Sequence, residues 1–258
     1  MAAAETFLTY YRSDAGSGFL LGQVRWLAAA AVLLFVLFGA TDLDRAATRL
    51  AFDDALRLFP LTENWWLKNV LHDGARTVSA LAAFALLGGA SAGWLLPRWL
   101  PRVHAHRQAL AYVTVAAFGA AALVGVLKHF SGHACPWDLV DFGGTVAYSH
   151  LFAGGSKAAT VTGCFPAAHP LTGYAWLGVA LVLYPTRRRA AWRWWLCTFA
   201  LGTLFGVVQI ARGAHLLSHV LWSAWVVWAA QLALLGAWRY APQRTSATER
   251  ATDARAPA

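Results

Sequence analysis

The sequence predicts an all-α, polytopic membrane protein with six transmembrane helices and both termini in the cytoplasm. Three observations carry that reading. First, 59% of the 258 residues are apolar and only 13% are charged, against about 45–50% and about 25% in soluble domains. Mean hydropathy is +0.48. Second, six apolar runs approach the length of about 20 residues that a helix needs to cross a bilayer core. Third, arginine is distributed unevenly between the connections. Together these exclude a soluble globular domain and a disordered chain.

The runs lie near residues 24–41, 76–96, 108–127, 170–185, 192–211 and 217–238. The fourth is short and the first slightly so. The mixed residues ahead of the first run, with no small-residue cleavage site after it, do not read as a signal peptide. Residues 1–238 are expected to form a single membrane domain. Residues 239–258 are polar, rich in Ala, Thr and Arg, and are expected to be a disordered tail.

Net charge is +9, from 21 basic and 12 acidic residues. In a membrane chain the placement of the cations matters more than their sum, so the excess does not call for a nucleic-acid partner. One side of the six-span arrangement holds 13 Lys and Arg residues and the other eight. The short loops 97–107 and 186–193 carry arginines and no acid. The positive-inside rule puts those loops and both termini in the cytoplasm.

Three outer connections follow. Residues 42–75 are expected to form a short interfacial helix, with Phe52, Leu56, Phe59 and the Trp65-Trp66 pair on an amphipathic pattern. Residues 128–169 form a long polar loop, with Gly154-Gly155-Ser156 as a flexible excursion. The turn at 212–217 is short.

Seven of the nine histidines fall on this outer side. His215 and His219 sit where the chain enters a membrane helix, and ionisable groups at membrane depth suggest function by default. Polar residues gather in three stretches: Lys128 to Asp138, Gly163 to Pro170, and Gln209 to His219. The topology brings all three to one depth on one side.

Lys128 offers a point positive charge to an anion, although a lysine closing an apolar run also snorkels. Arg212 offers a planar fork suited to phosphate oxygens. His169-Pro170 reads as a helix start, whose free N–H groups favour an anion. His215 and His219 are four apart and share one helical face. One could fix the other's tautomer. Such a pair could also ligate zinc, but the HLLSH stretch lacks the glutamate of a metalloprotease motif. Cys135 and Cys164, both outside the membrane, are candidates for a disulfide in an oxidising compartment. Cys197 reads as a small packing residue.

The three stretches resemble the type-2 phosphatidic acid phosphatase family of integral membrane lipid phosphatases. That family carries K-x6-R-P, P-S-G-H and S-R-x5-H-x3-D motifs on outer loops. Lys128 and Pro136 match the first, with Cys135 at its arginine. Pro166 and His169 match the second, with Ala167 and Ala168 at its Ser and Gly. His215 matches the third. Gln209 stands at that motif's arginine, Arg212 follows one turn later, and His219 stands at the aspartate. The resemblance spans roughly residues 25–238. The pattern C-P-W-D-L with R-G-A-H-x-x-S-H is similar to a divergent bacterial branch of the family.

The resemblance implies a mechanism without metal or other cofactor. His215 would attack phosphorus and form a phosphohistidine, and His169 would protonate the leaving lipid oxygen. Lys128 and Arg212 would neutralise the phosphoryl oxygens, with Ala167 and Ala168 at the phosphate but without a hydroxyl donor. His219 would orient His215. A left-handed backbone at Ala168 would cost about 1–2 kcal/mol. The expected substrate is a lipid phosphate at the outer leaflet of a bacterial inner membrane, with the active site facing the periplasm. Transfer of the phosphoryl group to another acceptor uses the same pocket. A metal-binding or non-enzymatic membrane protein, with His169, His215 and His219 as ligands, is the reading from another class.

Overall fold

The computed structural model of the protein describes residues 2–153 and 163–240. The Gly154-Gly155-Ser156 excursion and residues 241–258 of the expected tail lie outside the described residues. Helices dominate; among the described residues only two isolated bridges, Asp53 with Leu58 and Leu139 with Val146, pair extended backbone.

Among the described residues five helices are long and apolar enough to cross a membrane. They are α2 (Asp14–Ala40), the continuous helix Trp66–Leu95, α6 (Arg107–Phe130), α9 (Arg188–Ala211) and α10 (Leu217–Trp238). A sixth apolar helix, Leu171–Leu183, is shorter. Short helices fill the connections: α1 (Ala2–Arg12), α3 (Leu43–Arg49) and α5 (Pro101–Ala105).

The N-terminal stretch is helical rather than an irregular lead. Phe7, Leu8 and Tyr11 share one face of α1 and are buried against Tyr112, Leu181 and Leu235. The Tyr11 hydroxyl donates to the Leu181 carbonyl at 2.8 Å. Ser13 then caps α2, its side chain accepting from the Gly16 N–H. The first long helix therefore begins ten residues before the apolar run at 24.

The region 42–75 is not one interfacial helix. Asp53 takes the Ala55 and Leu56 N–H groups on one carboxylate oxygen, both at 2.9 Å. That local turn competes with helix. Arg57 has φ +56°, and Pro60 follows. Phe52 and Phe59 leave the surface to pack with Leu139, Phe142 and Leu216, while Leu56 stays exposed. Residues Trp66–Gly74 form a π-helix that runs directly into α4 (Ala75–Leu95).

Leu171–Leu183 bends through a 3₁₀ turn, Ala175–Leu177, between α7 (Leu171–Tyr174) and α8 (Gly178–Leu183). The turn frees carbonyls that side chains then satisfy. Gln231 donates to the Ala175 carbonyl at 2.9 Å, and the Trp194 indole donates to Trp176 at 2.9 Å. Within an apolar bundle such compensation is required. Pro170 caps α7 instead of standing inside it. α10 packs on α2, α6, α7 and α9. Around it Val124, Tyr174, Leu177 and Val227 form a buried core.

Candidate active site

Four connections tie the three polar stretches together at the end of α6, α7 and α10. Cys135 and Cys164 are joined by a disulfide, with Cα atoms 5.3 Å apart. The Cys164 N–H donates to the His133 carbonyl at 2.9 Å, and Ala167 N–H to the His219 carbonyl at 3.1 Å. The Trp137 N–H donates to the Gly213 carbonyl at 3.2 Å. Gly163 lies so close to the Lys128 carbonyl that a Cβ there would collide with it. Gly213 turns the chain between α9 and α10 at φ +75°, a conformation that favours glycine.

His215 stands in that turn, 6% exposed, and His169 just before α7, 8% exposed. Both line one cavity of about 540 Å³, with Lys128, Ala168, Gln209, His72 and Arg76 also in its wall. Lys128 comes from the last turn of α6. Away from these groups the same cavity runs between α4 and α6 along Ala80, Ala83, Phe84, Ala117, Phe118 and Ala121. It thus has a polar, cationic end and an apolar trough.

His169 is held from two sides. Its Nε2 donates to the Leu71 carbonyl at 3.0 Å. Its ring lies 4.3 Å from that of His72 and 5.4 Å from Phe205, between centroids. Burial, reinforced by His72, lowers its pKa to about 4. Burial and then the Lys128 charge lower that of His215 to about 3, with His169 and His72 adding to the effect. Both imidazoles are therefore neutral at pH 7, with lone pairs available for attack or proton transfer.

His219, in the first turn of α10, is fully buried. Its ring centroid lies 5.8 Å from His215, 5.7 Å from Phe165 and 6.3 Å from His133. Among the described residues neither of its ring nitrogens, nor His215 Nδ1, meets a hydrogen-bond partner. The expected orienting pair is thus adjacent but not directly bonded.

Arg212 ends α9 and does not line the cavity. Its Nε donates to the Thr62 carbonyl at 3.1 Å, and its own carbonyl accepts from the Thr62 hydroxyl at 3.0 Å. It fastens the 50–65 segment to the α9–α10 turn. Gln209, at the motif's arginine position, does line the cavity. Ala167 is buried, and its carbonyl accepts from Ser223 Oγ at 2.7 Å. Ala168 is exposed to the cavity. Among the described residues the one non-glycine with positive φ is Arg57, so alanine at 168 carries no left-handed strain.

Among the described residues no group of three or more His, Cys, Asp or Glu side chains is arranged to hold a metal ion. Sequence reasoning missed His72 and Arg76. His72 Nδ1 pairs with Asp73 at 2.8 Å, and the π-helical segment turns it onto His169. The signal was present in the titratable cluster His72, Asp73, Arg76 at the start of the second apolar run.

A family model described as the PAP2 superfamily matches residues 108–243, more than half of the chain. The match includes Lys128, both cysteines of the disulfide, His169, His215 and His219, and leaves His72 and Arg76 outside. Neither comparison with curated proteins nor comparison with solved structures yields a match. The motif order, the shared cavity of His169 and His215, and the family match lead to one conclusion: the chain belongs to the PAP2 superfamily, whose members are phosphatases acting on phosphate esters.

Proposed function

We propose that the protein hydrolyses a lipid phosphate at the outer leaflet of a bacterial inner membrane. One observation carries this reading: the cavity that holds His169, His215 and Lys128 continues into an apolar trough between α4 and α6. A phosphate head fits the first part and a lipid tail the second. A soluble phosphate ester would leave the trough unfilled.

The chemistry follows from the ring environments. His215 Nδ1 is buried in protein, which supports attack through Nε2. The Nε2 lone pair forms a bond to phosphorus while the bond from phosphorus to the lipid oxygen breaks. His169 already gives Nε2–H to Leu71, which leaves Nδ1 to exchange protons with the substrate. Binding of an anionic phosphate favours the protonated His169, which then passes its proton to the leaving oxygen. Water attacks the phosphohistidine, returns a proton to His169, and phosphate leaves as the P–N bond breaks. Lys128 stabilises the charge on the phosphoryl oxygens throughout.

Orientation is supported by the arginine-rich, acid-free loops at the opposite end of the bundle. A disulfide beside the site fits an oxidising periplasm. Residues 1–238 act in this reading as one membrane unit. The test is phosphate release by purified protein from diacylglycerol phosphate in mixed micelles and from soluble glycerol 3-phosphate. The lipid should be turned over at least tenfold faster. Equal turnover of the two would sink the lipid assignment.

A further inference from the structure

A second cavity, about 510 Å³, lies between α2, α8, α9 and α10 and shares no lining residue with the catalytic one. Five tryptophans face it: Trp26, Trp192, Trp195, Trp225 and Trp228. Its floor is the bundle core, Leu177, Ala180 and Leu181. Two of the tryptophan N–H groups are satisfied by α2. Trp228 donates to Gln23 at 3.1 Å and Trp225 to the Leu27 carbonyl at 2.8 Å. What remains facing the cavity is almost wholly apolar, so its occupant is a hydrocarbon chain.

Length and charge identify the rest of that occupant. On α2 the cavity runs from Phe19 to Leu34, a rise of fifteen helical steps and so about 22 Å. One leaflet with its headgroup layer is about 20–22 Å deep, half of a bilayer of about 40–45 Å. The Phe19 end is cationic. Arg188 lies over the ring of Tyr184, 5.4 Å from its centroid, and Tyr184 lines the cavity. Arg187, Arg189 and Arg193 are exposed beside it. Among the described residues none of these four arginines is in an ion pair. Tryptophan belts and basic clusters are the usual contacts of an anionic headgroup layer.

We propose that this cavity binds one anionic phospholipid from the leaflet at the Arg188 end, with an acyl chain along the tryptophans and its phosphate at the arginines. This lipid is not the substrate. The length of α9 from Arg188 to Ala211, 24 residues or about 36 Å, separates its phosphate from the His215 turn, and the two cavities share no lining residue. It fills the space beside α2, a helix with few buried residues of its own.

Native mass spectrometry of the full chain, purified with phosphatidylglycerol or with phosphatidylcholine of matched chains, tests the site. Phosphatidylglycerol should stay bound as one copy at collision energies that strip phosphatidylcholine. The double variant R188A/R189A should reduce that retention at least tenfold, and A30F, which fills the cavity, should abolish it. Unaltered phosphate release by both variants shows that each is folded. If either variant fails to fold, brominated acyl chains on the unmodified protein decide the matter: bromo-phosphatidylglycerol should quench tryptophan fluorescence more than bromo-phosphatidylcholine. Equal retention or quenching by the two lipids overturns the proposal, as does a dimer that excludes lipid from this face.

Discussion

His169 donates its Nε2–H to the Leu71 carbonyl at 3.0 Å, so a π-helical turn outside the matched family region sets the tautomer of a motif histidine. A carbonyl only accepts, which leaves the lone pair of the neutral ring on Nδ1. Two residues of that turn act on one ring, because His72 also lies 4.3 Å from it. π-Helical segments often mark functional sites, and here the segment aims the Leu71 carbonyl at His169 and His72 at the cavity.

Replacing His72 by alanine should move the pH profile in a known direction. His72 and burial both hold the His169 pKa down. Removing the ring takes away the unfavourable electrostatic effect of His72 and admits water, and both changes raise it. Activity that needs protonated His169 falls as pH rises through that pKa. The fall in kcat/KM should therefore shift to higher pH in the variant. An unmoved profile would show that His72 does not act on His169.

Acid should destabilise the fold in a defined window. The ordinary histidine value is about 6.5, while His169 and His215 sit at about 4 and about 3. Between those limits the unfolded chain binds more protons than the folded one. Stability is thus fully present above pH 6.5 and is lost as pH falls through 4 and then 3. The loss is on the order of a few kcal/mol. Thermal unfolding in detergent at pH 7.5, 5.5 and 4.5 should give a falling Tm, with a smaller drop in His169→Gln. A flat Tm would contradict the burial of the two rings.

His215→Ala should lower phosphate release by at least about 10³-fold without changing Tm, because the nucleophile is lost and its turn remains. Lys128→Met should cost about 10²-fold, again with little effect on Tm. Arg212→Gln should behave differently. It breaks the bond to Thr62 and loosens the 50–65 segment, so activity and Tm should fall together. A loss of activity alone in Arg212→Gln would place its guanidinium at the phosphate after all.

The helical class and the convergence of three stretches were legible because hydropathy and motif spacing are local properties. α10 was found to the residue, since an apolar run with sharp ends leaves no choice of boundary. α1 was missed because Phe7, Leu8 and Tyr11 are only three core contacts among polar neighbours. The 50–65 segment was misread because Phe52 and Phe59 fit an amphipathic helix as well as they fit a pocket formed by Phe142 and Leu216. That pocket comes from distant chain. For the same reason Leu71 is invisible as a site residue, and the His72, Asp73, Arg76 cluster, though visible, does not show that it faces His169: both roles depend on a helix register that composition does not reveal.

The Cys135–Cys164 bond closes a loop with a sequence separation of 29. In the chain-entropy account such a loop contributes about 3–4 kcal/mol. It also joins the segment after Lys128 to the segment before His169. C135S/C164S should lower Tm by several degrees and reduce kcat/KM more than tenfold, and reductant should reproduce both effects in the unmodified protein. Retained activity after complete reduction would show that packing around Pro136 and Pro166 suffices to hold the site.

Asp44 gives the last case, where a residue far from the chemistry holds the turn that carries it. No side chain within α10 caps its start. Asp44 of α3 does so instead, its carboxylate accepting from the Ser218 N–H at 2.7 Å. The group is 1% exposed, and burial raises its pKa while the Ser218 bonds oppose that rise. Ser218 lies between His215 and His219, so loss of the cap frees the backbone that carries both rings. Asp44→Ala should cost about 1–3 kcal/mol, from the lost cap and a buried N–H without a partner. Activity should fall along with stability. Asp44→Asn keeps the accepting oxygen and removes the charge that burial penalises, so it should retain most of both. If alanine and asparagine were equally damaging, charge on Asp44 would matter more than its acceptor; if neither were damaging, the cap would be dispensable to the histidine turn.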